Sequence, residues 1–200
     1  MNFLPNFTTL KQHPSIRKYF SNTSWLLGER ILRMGVSFFV GIYLVRYLGP
    51  EKYGFLSYAI SFVCLFSAFL DLGHREIIVR ELVLFPEKRN VILGSAILLR
   101  LCGAVFLISG VAVGLQLVDN EQQTSLMIVI IALGMTFQSW ELIDYYFQSQ
   151  VQSKYTAWAQ TIQLIVTSLI KIALIIWQAP LIYFAAVFSL EYVITAGLFL

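Results

Sequence analysis

Two long runs without a formal charge limit what this chain can fold into. Residues 101–118 read LCGAVFLISGVAVGLQLV, and residues 172–190 are uncharged as well. A helix crossing a bilayer needs about 20 mostly apolar residues to cover roughly 30 Å of hydrocarbon. A soluble domain carries charge on about 25% of its residues; here the share is 12%, and 58% of the 200 residues are hydrophobic. Inside hydrocarbon only helices and closed barrels satisfy their own backbone. A barrel needs strict alternation over about ten residues, which is absent, so the expected fold is all-α and membrane-embedded.

Six apolar segments are expected near 24–46, 54–71, 91–117, 125–147, 157–177 and 181–200, forming one six-helix lobe over 24–200. Turn-forming residues separate most of them: LGPEKYG, FPEKRN, VDNEQQ and WQAP. Residues 1–23 are polar, with Lys11, Arg17 and Lys18 but no apolar core, so they read as a cytoplasmic segment and not a signal peptide. Between the second and third segments, 72–84 alternates Ile77, Ile78, Leu82 and Val83 with Arg75, Glu76, Arg80 and Glu81, the pattern of an amphipathic helix. The last segment stays apolar to Leu200 without the polar residues that usually follow a span, so a chain truncated at its C-terminal side is expected.

Basic residues set the orientation. With the N-terminus inside, the cytoplasmic side receives Lys11, Arg17, Lys18, Arg75, Arg80, Lys88, Arg89 and Lys154, and the outside only Arg46 and Lys52. The two cysteines, Cys64 and Cys102, lie within apolar runs and read as small buried hydrophobes. His13 and His74 are isolated, and neither GxGxxG nor a P-loop occurs. No metal, nucleotide or other cofactor is expected, nor is nucleic-acid binding.

Charges inside spans cost about 2.5–3.5 kcal/mol on insertion scales and usually face a cavity or a partner. The first segment carries Glu29, Arg30 and Arg33. At 3.6 residues per turn these share about one third of the helix circumference with Ser37 and Gly41, and Arg33 lies roughly 14 Å into the span. In one reading Glu29 pairs with Arg33 at i,i+4 and Arg30 snorkels to the headgroups. In the other the arginines line a wet cavity and hold an anion, for which the planar guanidinium suits phosphate. Arg33 is too deep to snorkel cheaply, and one carboxylate does not neutralise two arginines, which favours the cavity.

The fifth segment repeats the motif with Gln160, Gln163, Thr167 and Lys171 in one polar stripe. Such a stripe serves either a helix–helix seam or a transport path. In the fourth segment Gln138 and Glu141 share a face with Asp144 at its edge. The two carboxylates are candidates for pairing with basic loops or for ion coupling. Arg100, Asp71 and Glu191 are intramembrane charges with no sequence-local partner.

NTSW at Asn22–Trp25, RYLGPEKYGFLSYAISF at Arg46–Phe62, REIIVREL running into PEKRNVILGSA at Pro86–Ala96, and DYYFQSQVQSKY at Asp144–Tyr155 resemble one family. Over about residues 20–175 the chain is similar to the N-terminal half of polysaccharide-transporter flippases. These are the O-antigen-type branch of the multidrug/oligosaccharidyl-lipid/polysaccharide exporters. The resemblance implies one lobe of a two-lobe transporter in a bacterial plasma membrane, with no enzymatic step. It implies undecaprenyl-pyrophosphate-linked oligosaccharide as substrate, in contact with membrane lipids and other polysaccharide-assembly membrane proteins. It also implies a cationic cavity to which the first helix contributes. Arg30, Arg33 and Lys171 are then candidates for the pyrophosphate, Gln138, Gln160, Gln163 and Thr167 for polar contacts to the sugars, and Glu29, Glu141 and Asp144 for coupling or pairing. The rivals are an ion-coupled exporter of the same superfamily, a membrane glycosyl- or acyltransferase using Glu141 or His74, and a non-transport assembly subunit.

Overall fold

The computed structural model describes residues 14–71, 74–118, 121–138, 142 and 153–199. Among them the fold is helical, without strands. The elements are α1 (Pro14–Asp71), α2 (His74–Leu84), a 3-10 turn at Pro86–Lys88, α3 (Arg89–Leu117), α4 (Gln122–Thr136), α5 (Ser153–Ile176) and α6 (Leu181–Phe199). α1 therefore starts within the polar stretch before residue 24.

α1 is not one rod. Gly49 has φ 73° and ψ 171°, outside helical geometry, and Pro50 follows it. Glycine reaches that left-handed φ without the clash a Cβ brings, and proline has no N–H to continue the ladder. The break divides α1 into arms 14–48 and 50–71, at the LGP turn. Among the described residues, four stretches are long and apolar enough to cross a membrane: Thr23–Ala68, Pro86–Leu117, Thr156–Ile176 and Leu181–Leu198. The first has 46 residues, about twice what 30 Å requires, so its arms supply two crossings. α4 has 15 residues, about 22 Å at 1.5 Å per residue, and the segment that follows lies largely outside the described residues.

The α5–α6 turn is closed by backbone bonds. Gln178 N–H donates to Ile175 O (3.2 Å) and Ala179 N–H to Leu174 O (3.0 Å), with Gln178 at φ 53°. This is a Schellman closure with Pro180 just beyond it. Tyr47 Oη donates to Ala179 O at 3.1 Å, tying the turn to the end of the first arm. Glu51, Lys52, Glu121 and Pro180 line one cavity, so the three turns after the first arm, α3 and α5 meet at one end of the bundle.

The core joins Leu56, Ala59 and Val63 of the second arm to Leu107 and Val111 of α3, Met127, Ile128 and Ile131 of α4, and Phe184 and Ala185 of α6. Around it the surface is apolar. Phe38, Phe39, Leu98, Val105 and Leu117 are each more than 60% exposed, which suits contact with lipid tails and not with water. Cys64 and Cys102 are on this surface, a correction to the expectation of burial: periodicity locates an apolar run but not which side meets lipid. Where helices approach closely, small residues make room. The edges of Phe66 and Phe62 lie against Gly110 and Gly114 of α3. Gly134 of α4 faces Ser189 of α6, whose hydroxyl donates to Ile130 O at 2.7 Å.

α2 stands apart from the second arm as its own short helix. Its Ile78 and Leu82 are buried against Ala96 and Leu142, while Ile77 and Val83 are exposed. The side chains of Glu76 and Asp71 lie outside the described residues.

A Cβ on Gly134 would stand 2.5 Å from Ser189 Cα, so backbone must move. Gly134→Ala is expected to destabilise the bundle by about 1–3 kcal/mol, read as a lower Tm in detergent. Gly94→Ala, with nothing within 4 Å of the added carbon, leaves Tm unchanged or raised. Equal Tm values for the two variants would contradict the close α4–α6 contact.

Candidate functional site

The first arm turns a stripe toward the bundle: Glu29, Arg33, Val36, Val40, Leu44, Tyr47 and Leu48 are all at least half-buried. Their spacing of three and four residues is that of one helix face. Two of the seven are charged, and they pair. Arg33 Nε donates to Glu29 Oε1 at 2.7 Å, with the Glu29 side chain 5% accessible and that of Arg33 38%. Burial of a carboxylate is costly unless a counter-charge meets it, and the i,i+4 arginine provides one from its own helix.

The polar face of the first arm is thus divided. Glu29 sits in the seam, Arg33 and Gly41 at its edge, and Arg30 and Ser37 are exposed. Among the described residues no hydrogen bond or ion pair reaches Arg30.

α5 faces this stripe. Near its start, Trp158 meets Trp25 with ring centroids 6.4 Å apart at 38°. Between the helices a half-open pocket of about 430 Å³ is lined by both tryptophans, Gly28, Leu32, Thr161 and the Glu29 carboxylate. The polar stripe of α5 runs on the other side. Gln163 and Thr167 are buried and Gln160 half-buried. The Thr167 hydroxyl donates to Gln163 O of its own helix at 3.0 Å. This stripe is packed into the lobe, the seam alternative of the two readings. At its far end Lys171 Nζ bonds Glu191 Oε1 of α6 at 2.6 Å. Glu191 is ten residues into α6, about 15 Å, so the pair joins the two helices within the membrane.

Arg100 is 2% exposed, and its Nη1 donates to Gln138 O just past the end of α4. A guanidinium suits the free carbonyls and negative dipole end of a helix. Gln138 thereby contributes its backbone, and its side chain is half-buried. Glu141 and Asp144 lie outside the described residues. No group of three metal-ligating side chains occurs among the described residues.

Sequence spacing anticipated the Glu29–Arg33 pair as one alternative. It did not anticipate the contacts of Arg100 and Lys171 or the tryptophan pocket, because each joins helices distant along the chain. The two tryptophans do fall at the same end of the first and fifth segments, the one signal available.

The model of the polysaccharide biosynthesis protein family matches residues 20–200. The chain belongs to this family. No curated protein and no solved structure gives a significant match. In this polysaccharide biosynthesis protein an exposed arginine, Arg30, stands beside the Glu29–Arg33 ion pair.

Lys171 and Glu191 form the described link whose loss orphans a membrane charge. Lys171→Met or Glu191→Leu alone should destabilise by up to roughly 3 kcal/mol. The double variant should recover most of that loss in a thermal-unfolding cycle. Additive losses would mean that the two side chains do not interact.

Proposed function

We propose that the chain takes part in moving undecaprenyl-pyrophosphate-linked oligosaccharide across the bacterial plasma membrane for surface polysaccharide synthesis. The observation that carries this reading is Arg30, exposed on a membrane helix beside Arg33 and met by no side chain among the described residues, in a chain of the polysaccharide biosynthesis family. A lipid pyrophosphate crosses low-dielectric core only if its charge is met, and guanidinium groups meet it with paired hydrogen bonds. The prenyl tail remains in lipid, so only the head group needs a polar path. No bond is made or broken, so the activity is transport and not catalysis.

The N-terminus is assigned to the cytoplasm by the bias of basic residues, with membrane lipids and other polysaccharide-assembly membrane proteins as neighbours. Lys171 has a smaller part in anion binding than Arg30, because Glu191 already neutralises it. An ion-coupled exporter gains little support: Glu29 and Glu191, the described carboxylates within the crossings, are both engaged by basic side chains.

A charge-assisted hydrogen bond contributes about 1.5–3 kcal/mol, so Arg30→Ala should lower surface glycan about tenfold or more at unchanged protein level. Arg33→Ala alone leaves Glu29 buried without its partner, so it is combined with Glu29→Gln. The triple variant Glu29→Gln/Arg30→Ala/Arg33→Ala should abolish export. Normal surface glycan in the triple variant, at wild-type abundance, would overturn the pyrophosphate role.

A further inference from the structure

The pocket between the first arm and α5 has a chemistry of its own. Trp25 and Trp158 are 42% and 52% exposed, and their rings stand 6.4 Å apart at its rim. Glu29 also lines it, with its side chain almost fully buried and Oε1 engaged by Arg33. Gly28 presents no side chain, and nothing stands within 4 Å of where one would begin. The volume, about 430 Å³, falls within the roughly 300–1,000 Å³ of small-molecule sites.

Two indole faces beside an ion pair select for a particular ligand class. A flat apolar ring would use the indoles but make no use of the Glu29 carboxylate or the Thr161 hydroxyl. A free cation would be repelled by Arg33 and an anion by Glu29. A pyranose has apolar C–H faces for the indoles and vicinal hydroxyls that donate and accept, matching the Glu29 carboxylate and the Thr161 hydroxyl of the lining.

We propose that this pocket binds one neutral pyranose ring, stacked on Trp158 and Trp25, with its hydroxyls on Glu29 and Thr161. The proposal rests on the reading that the protein handles lipid-linked glycans, and assigns it a sugar subsite on the flank of the first arm away from Arg30. Head group and first sugars would then be held on two sides of one helix, the phosphate by Arg30 and a sugar by the tryptophans.

The test uses full-length protein in nanodiscs, with Trp140, Trp177 and every further tryptophan of the protein replaced by Phe so that Trp25 and Trp158 are the emitting residues. Methyl hexopyranosides and methyl N-acetylhexosaminides are the probes, with ethanolamine and inorganic phosphate as controls. The expected result is a saturable change in indole emission with at least one pyranoside and none with either control. Trp158→Phe, with emission then read from Trp25, should keep a midpoint within about threefold. Trp158→Ala, read the same way, should raise it at least tenfold. Near-unchanged Tm in both variants shows that they remain folded. Absence of saturation by every pyranoside, equal response to ethanolamine, or an unchanged midpoint in Trp158→Ala would overturn the subsite. Surface glycan separates this failure from failure of the function. No pyranoside binding with normal Arg30-dependent export removes the subsite alone, whereas pyranoside binding with export indifferent to Arg30 removes the pyrophosphate reading.

Discussion

Hydrocarbon offers no hydrogen-bond partner, and the rest of this structure follows from that. Backbone groups are satisfied within helices. Hydroxyls turn back on their own helices: Ser109 donates to Val105 O, Thr136 to Leu133 O and Thr195 to Glu191 O. Three charged side chains of the crossings are met by other protein groups, one of them within its own helix. Glu29 has Arg33, Lys171 has Glu191, and Arg100 has the carbonyl beyond the end of α4. The Lys171 and Arg100 contacts join helices in lipid, which supplies no hydrophobic force to press them together.

The same constraint gives the site its form. One seam, between the first arm and α5, holds a buried carboxylate because its arginine lies one turn further along the helix. The pairing leaves Arg30 facing outward with its charge intact, and leaves the tryptophan pocket on the opposite flank. Lys171 and Glu191 hold α5 to α6, so the α5 face of that seam is fixed from behind. Gly134 against Ser189 joins α4 to α6 in the same way, by removing side-chain bulk instead of by charge.

Much of the fold was legible because it is written locally. Gly49–Pro50 and the WQAP turn mark breaks through residues whose backbone preferences act within a few positions. The i,i+4 spacing of Glu29 and Arg33 identified a pair that one helix makes alone. The α5 stripe was legible as a stripe but ambiguous in meaning, since helix seams and aqueous paths both call for polar residues; its packing against the lobe comes from tertiary structure. Arg100 with Gln138 O, Lys171 with Glu191, and Trp25 with Trp158 depend on which helices become neighbours, and helical periodicity carries no such information. The lipid exposure of Cys64 and Cys102 was illegible for the same reason.

The most direct test of the central claim is leaflet exchange of a labelled undecaprenyl-pyrophosphate-linked sugar in proteoliposomes holding the full-length protein. A membrane-impermeant quencher or glycan-modifying enzyme reads the outer leaflet. The account predicts that the protected inner pool becomes accessible with the wild-type protein and remains protected with the Glu29→Gln/Arg30→Ala/Arg33→Ala variant. A wild-type protein that leaves the inner pool as protected as in protein-free liposomes would contradict it.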